Sequence, residues 1–200
     1  MAKTNSNFEK YYPHILVGGS VVGLVASFIL TLEKLALLKD PSHQLSCSLN
    51  PVLSCGNIIL SPQASAFGFP NPWIGLFGFG VVITVGMALL AKAKFERWFW
   101  LGLQAGATFG FAFVHWLIYE SLYEIGALCI YCMFVWSITA PIFWYTTLIN
   151  LNSGRIKTPK ALKKAVAFAN QHHLDILVAW YVLVIALILK RFWDYWSTLI

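Results

Sequence analysis

Five stretches of this chain are almost free of charge, and each is long enough to cross a bilayer as a helix. They cover about residues 14–38, 72–91, 98–119, 125–151 and 174–193. A helix needs roughly 20 predominantly apolar residues to cross the hydrocarbon core. Helices also satisfy every backbone hydrogen bond internally where water is absent. The pattern therefore predicts an all-α integral membrane protein with five transmembrane helices. The first stretch exceeds the apolar core of about 7–15 residues found in a cleaved signal, and no small-x-small cleavage site follows it.

Between the stretches the connections are short, with one exception. Residues 39–71 form a 33-residue segment that holds Pro41, Pro51, Pro62 and Pro70, half of the chain's eight prolines. A loop longer than about 12–15 residues in a compact chain is usually functional or disordered. Ile58, Ile59, Leu60, Phe67 and Phe69 give this one enough apolar surface to fold back on the membrane. It is expected to form a cap with one short helix near 57–66. The basic segment 152–173 is expected to lie on anionic headgroups as a short amphipathic helix.

Composition supports the membrane reading. The 200 residues are 58% hydrophobic and only 11% charged, with a mean hydropathy of +0.69. Soluble domains carry about 25% charged residues, so a water-soluble enzyme of ordinary surface is excluded. The net charge of +6 is a topology signal rather than a nucleic-acid footprint. With the N-terminus in the cytoplasm, ten of the fourteen Lys and Arg lie inside: Lys3, Lys10, Lys92, Lys94, Arg97, Arg155, Lys157, Lys160, Lys163 and Lys164. Lys39, Lys190 and Arg191 are left outside, with Lys34 near the outer end of the first span. That bias follows the positive-inside rule.

The four cysteines are Cys47 and Cys55 in the long loop, and Cys129 and Cys132 at the start of the fourth stretch. In this topology all four fall on the outer side, which is oxidising in a bacterial inner membrane or an endoplasmic reticulum. Lys and Arg alone set the topology, so the agreement is independent. Cys129-Ile-Tyr-Cys132 is a CxxC whose sulfurs share a helix face and can join across one turn. Near a helix N-terminus its first thiolate is stabilised by free N–H groups and the dipole. With the span starting near 125, Cys132 lies on the order of 10 Å below the outer boundary, at 1.5 Å per residue. That depth suits a lipid-dissolved electron carrier. Other readings stay open: two buried small hydrophobes, a four-Cys zinc site, or an inert Cys47–Cys55 disulfide.

Taken together, Cys47-Ser-Leu-Asn-Pro-Val-Leu-Ser-Cys55-Gly, Ser61, Phe67-Gly-Phe-Pro-Asn-Pro72, Gly75 and Cys129-Ile-Tyr-Cys132 resemble the vitamin K epoxide reductase family. The loop pair precedes the membrane CxxC, the reverse of the order in the DsbB family. The resemblance covers about residues 14–150 and implies a four-helix transmembrane bundle core (14–151) capped by the outer loop 39–71. A cytoplasmic N-terminus (1–13), a basic cytoplasmic connector (152–173) and a fifth transmembrane helix with an outer C-terminus (174–200) complete the expected layout.

The resemblance further implies a relay. Cys132 lies against a quinone (ubiquinone, menaquinone or vitamin K), Cys129 is its disulfide partner and receives Cys55, and Cys47 meets an external thioredoxin-like protein. Ser61 and Asn71 are the implied quinone-binding residues beside Cys132, and no metal is called for. Vertebrate epoxide reductases carry a tyrosine where Trp136 stands, which favours thiol oxidation by quinone over epoxide reduction. Many bacterial members continue into a fused thioredoxin-like domain; here the chain stops at Ile200, so a separate DsbA-like partner is expected. The sequence thus reads as a disulfide-generating thiol–quinone oxidoreductase. The alternatives are a vitamin K epoxide or quinone reductase driven by a reduced partner, and a non-catalytic membrane protein with a structural disulfide. Lesser candidates are read structurally: His115 as a helix-interface histidine, Pro141 as a kink, and Glu33 and Lys34 as interface anchors. His172, His173 and Asp175 are too few for a metal site.

Overall fold

The computed structural model describes residues 8–48 and 50–198. Residues 1–7 of the expected cytoplasmic N-terminus, Lys3 among them, and the last two residues lie outside the described residues. In chain order the helices are α1 (Phe8–Lys39), α2 (Cys55–Leu60), α3 (Pro72–Leu90), α4 (Arg97–Tyr119), α5 (Ile130–Asn152), α6 (Lys163–Gln171), α7 (His173–Arg191) and α8 (Trp193–Trp196). Five of them (α1, α3, α4, α5 and α7) are long and apolar enough to cross a membrane. The protein is an all-helical, multi-pass membrane protein.

The core is an incomplete ring. α1 lies against both α3 and α5, and α5 lies against α4, but α3 and α4 scarcely meet. Small residues permit the closest of these approaches, as they commonly do between helices in lipid. A Cβ added at Gly86 of α3 would stand 3.0 Å from Leu16 Cβ and 3.1 Å from the backbone nitrogen of Val17 on α1. Far from the cysteines, Phe8, Tyr12, Leu16, Trp100, Tyr145 and Leu148 close the bundle with a buried apolar cluster. There the hydroxyls of Tyr12 and Thr146 hydrogen-bond across α1 and α5 at 2.9 Å.

That cluster explains why α1 begins at Phe8 rather than near 14. Burial of Phe8 and Tyr12 carries the helix through Pro13, where local propensity alone argues for a break. The expected helix near 57–66 is divided instead. α2 ends at Leu60, and a 3₁₀ turn spans Pro62–Ser65. Between them Ser61 is extended, as the residue before a proline tends to be (φ −69°, ψ 150°). Leu30 and Leu37 of α1 receive Cys47, Cys55 and Ile59, so the loop packs on the end of the bundle.

The fourth span also starts later than the sequence pattern suggests. α4 runs on into a π-helical turn, Glu120–Ile125, which Gly126 terminates in the left-handed conformation (φ 69°). Residues 126–129 then leave the helix, and α5 begins at Ile130. Cys132 is therefore three residues past the helix cap, about 4.5 Å along the helix axis. Pro141 lies inside α5, which runs to Asn152 without interruption.

Candidate active site: two cysteine pairs above an apolar cavity

A short piece of backbone pairing sets the site. Asn50 Oδ1 accepts hydrogen bonds from the backbone N–H groups of Val52 (3.0 Å) and Leu53 (2.7 Å), which turns the loop at Pro51. The Leu128 N–H then donates to Val52 O at 2.8 Å, and the Ser54 N–H donates to Leu128 O at 2.9 Å. This isolated bridge pairs Leu53 with Leu128. One register step beyond it on each side stand Ser54–Cys55 and Cys129. The bridge thus brings Cys55 Sγ and Cys129 Sγ to 3.2 Å.

Cys47 and Cys55 form a disulfide, with an S–S distance of 2.09 Å, while Cys129 and Cys132 are free thiols. Cys55 carries no proton in that state, so the close contact places the Cys129 sulfur against one end of a disulfide. Cys47 is 3% exposed, and Cys55 and Cys129 are fully buried. The loop cysteines are bonded to each other, which removes them as thiolate ligands in this state.

Cys129 is the N-cap of α5, and its sulfur accepts from the Cys132 backbone N–H at 3.4 Å. Its thiol is held below the ordinary value, chiefly by a hydrogen bond from the Cys132 side chain. Burial opposes this, and the backbone N–H groups of Cys132 and Tyr131 reinforce it. Of the two thiols, it is the N-capping one that presses on the disulfide.

Below the cysteines lies a cavity of about 650 Å³, in the gap left between α3 and α4. That volume is in the range of small-molecule sites. Cys132, Ser61 and Asn71 all line it, so the three residues singled out for the quinone share one cavity. Neither Ser61 nor Asn71 caps a helix with its side chain. Ser61 Oγ donates to Ile58 O (2.7 Å). The Asn71 amide donates to Gln63 O (2.7 Å) and accepts from the Ala66 N–H (3.1 Å), stapling the cap to the start of α3. One N–H of its two remains for another acceptor.

Several side chains flagged in the sequence gain specific contacts in the structure. Trp136, one turn after Cys132, lines the cavity and is 3% exposed, and its indole N–H has no partner. Glu33 and Lys34 are not interface anchors. Glu33 is buried and accepts from His43 Nε2 (3.1 Å) and from the backbone and hydroxyl of Ser46, while Lys34 Nζ donates to Ile59 O (2.8 Å). Both hold the loop onto α1. His115 sits between helices: its Nδ1 pairs with Phe111 O (2.8 Å), and its Nε2 accepts from Trp180 of α7 (2.9 Å). His172 pairs with Asp175 at 2.9 Å at the start of α7.

Five membrane helices around a disulfide–dithiol contact make this a membrane oxidoreductase. The family model of the vitamin K epoxide reductase family matches residues 14–147, and the chain belongs to that family. No curated protein matches the chain.

Proposed function

We propose that this oxidoreductase carries electrons from a thioredoxin-like or DsbA-like dithiol protein to a quinone, and so generates disulfides. The observation that carries the reading is the 3.2 Å approach of Cys129 to Cys55, with Cys132 on the wall of the cavity. An inert structural disulfide has no need of a third sulfur at that distance. Thiol–disulfide exchange requires it, because each step is attack of a thiolate on a disulfide sulfur.

The relay runs in three exchanges. A partner thiolate attacks Cys47 and expels Cys55; the partner's second thiol then completes its own disulfide and leaves Cys47 and Cys55 reduced. The Cys55 thiolate next attacks Cys129 of a Cys129–Cys132 disulfide and expels Cys132, and Cys47 closes on Cys55 to release Cys129. The Cys129/Cys132 dithiol finally gives two electrons and two protons to the quinone, which becomes quinol as their disulfide reforms. The loop disulfide and the reduced membrane pair seen here correspond to the state before that last step. Cys47 is buried, so the loop opens when the partner reacts.

Quinone binding in the cavity would use Asn71, Ser61 and the unpartnered N–H of Trp136. An indole donor at Trp136 can hydrogen-bond a carbonyl oxygen but cannot serve as a hydroxyl acid–base group, which favours a quinone over an epoxide. Electrons take the same path in either case. The cysteine end faces the periplasm or lumen, and the basic loops face the cytoplasm.

Purified protein supplied with a reduced DsbA-like protein and a quinone is expected to form quinol and oxidised partner in equal amounts, with little consumption of vitamin K epoxide. Cys132→Ala abolishes turnover, and Trp136→Phe raises the quinone KM by about tenfold, the scale of one buried hydrogen bond. Normal turnover in Cys132→Ala would sink the relay.

A further inference from the structure

α7 lies beyond the residues that the family match covers, and the relay uses none of its side chains. None of its residues is buried, yet it is fastened along its length. Trp144 Nε1 donates to His173 O (3.0 Å), Trp180 Nε1 to His115 (2.9 Å), and Tyr181 to Ser137 O. At the cysteine end Arg191 Nε donates to Leu122 O at 2.7 Å. The next residue, Phe192, is 7% exposed and packs in one cluster with Val52, Leu122 and Leu128.

Those last contacts fall on the segment that presents Cys129. Leu122 belongs to the π-helical turn, and its carbonyl lies at a helix C-terminus, where a cation is favourable. Inside the turn, Ser121 O accepts from the N–H groups of Gly126 (3.0 Å) and Ala127 (3.2 Å), and the Ser121 hydroxyl donates to Ala127 O. The guanidinium also borders Gly126, where an added Cβ would come 3.7 Å from Arg191 Nη2. Residues 126–129 form neither helix nor strand beyond the single Leu53–Leu128 bridge. Their position is therefore set by Ser121, Arg191 and Phe192 on one side and by the loop on the other.

The loop must leave that second side in every turnover, because Cys47 is buried under it. We propose that Arg191 and Phe192 are positioning residues. They hold residues 121–128 in place while the loop is away, so that Leu128 offers an intact edge for Leu53 to re-pair with and Cys55 returns to Cys129. The fifth helix is then a buttress of the exchange site as well as an anchor. This inference assumes the Cys55–Cys129 exchange of the proposed relay.

The test isolates that exchange. In full-length Cys47→Ser/Cys132→Ser protein only Cys55 and Cys129 can pair, and equilibration with reduced and oxidised glutathione measures their effective concentration. Adding Arg191→Met is expected to lower it about tenfold, the scale of one lost charged hydrogen bond; Arg191→Lys restores most of the loss. Phe192→Leu, a milder change, lowers it about threefold on the same scale. Trp144→Phe, which removes the tie to His173 at the far end of α7 and packs in the other cluster, leaves it unchanged. In otherwise native protein, Arg191→Met lowers kcat with the partner dithiol. An unchanged effective concentration in both Arg191→Met and Phe192→Leu, or an equal fall in Trp144→Phe, overturns the positioning role. Failure of Cys55 and Cys129 to pair in the double-serine parent overturns the relay itself.

Discussion

In the proposed relay Cys129 is released as a thiolate, so the groups that share its charge bear on how readily it leaves. The Cys132 side chain is the strongest of them, ahead of the backbone N–H groups, with burial acting against all of them. A lowered pKa makes the thiolate the major form at lower pH, so the rate of Cys129 alkylation rises with pH and levels off below the ordinary thiol value of about 8.5. This is measurable with a small maleimide in Cys47→Ser/Cys55→Ser protein. Cys132→Ala removes the leading donor and shifts the midpoint upward, whereas Cys132→Ser keeps a hydroxyl donor and holds it near the parent value. Equal midpoints in the two variants would show that Cys132 does not tune its neighbour. The effect of the CxxC on its first thiol is legible in the sequence, because spacing and helix polarity are local. The partner it touches is not local: Cys55 lies 74 residues away, so only the family resemblance named it, and the Leu53–Leu128 bridge shows how the two meet.

At the scale of elements, apolar length identifies five helices, because hydrocarbon leaves the backbone few other choices. It does not locate their ends. Packing of Phe8 and Tyr12 extends α1 past Pro13, and Gly126 with the π-helical turn delays α5 to Ile130. The clasp of Glu33 on His43 and Ser46 is equally silent in the sequence, since a charge near a span end reads as an anchor until its partner is seen. Helix contacts give a sharper expectation. A side chain at Gly86 would meet Leu16 Cβ and the Val17 backbone nitrogen, which cannot swing aside, whereas a Cβ at Gly18 on α1 meets nothing within 4 Å. Gly86→Val is expected to cost about 1–3 kcal/mol as overpacking. Gly18→Ala is expected to be neutral or stabilising by up to about 1 kcal/mol through helix propensity. Thermal unfolding in one detergent compares them; equal Tm values would mean that α1 and α3 are not held at this distance.

For the whole molecule, the basic residues and the cysteines divide the bundle into two ends, and the structure strengthens the division. Of the four basic residues that break the bias, two have structural work: Lys34 binds Ile59 O and Arg191 binds Leu122 O. Only Lys39 and Lys190 then stand against the nine that the described residues hold at the other end. The path of α7 agrees, since His173 meets Trp144 and Tyr145 deep in α5 while Arg191 reaches the π-helical turn beside the cysteines. The loops carrying Lys92, Lys94, Arg155 and Lys157 are therefore expected in the cytoplasm, and both cysteine pairs in the compartment where disulfides persist. Single cysteines in an otherwise cysteine-free chain decide it. Ser42→Cys should react with a membrane-impermeant maleimide in intact cells, and Lys94→Cys only after permeabilisation. The opposite pattern would put the Cys47–Cys55 pair in a reducing compartment, where a disulfide generator has no outlet for its product.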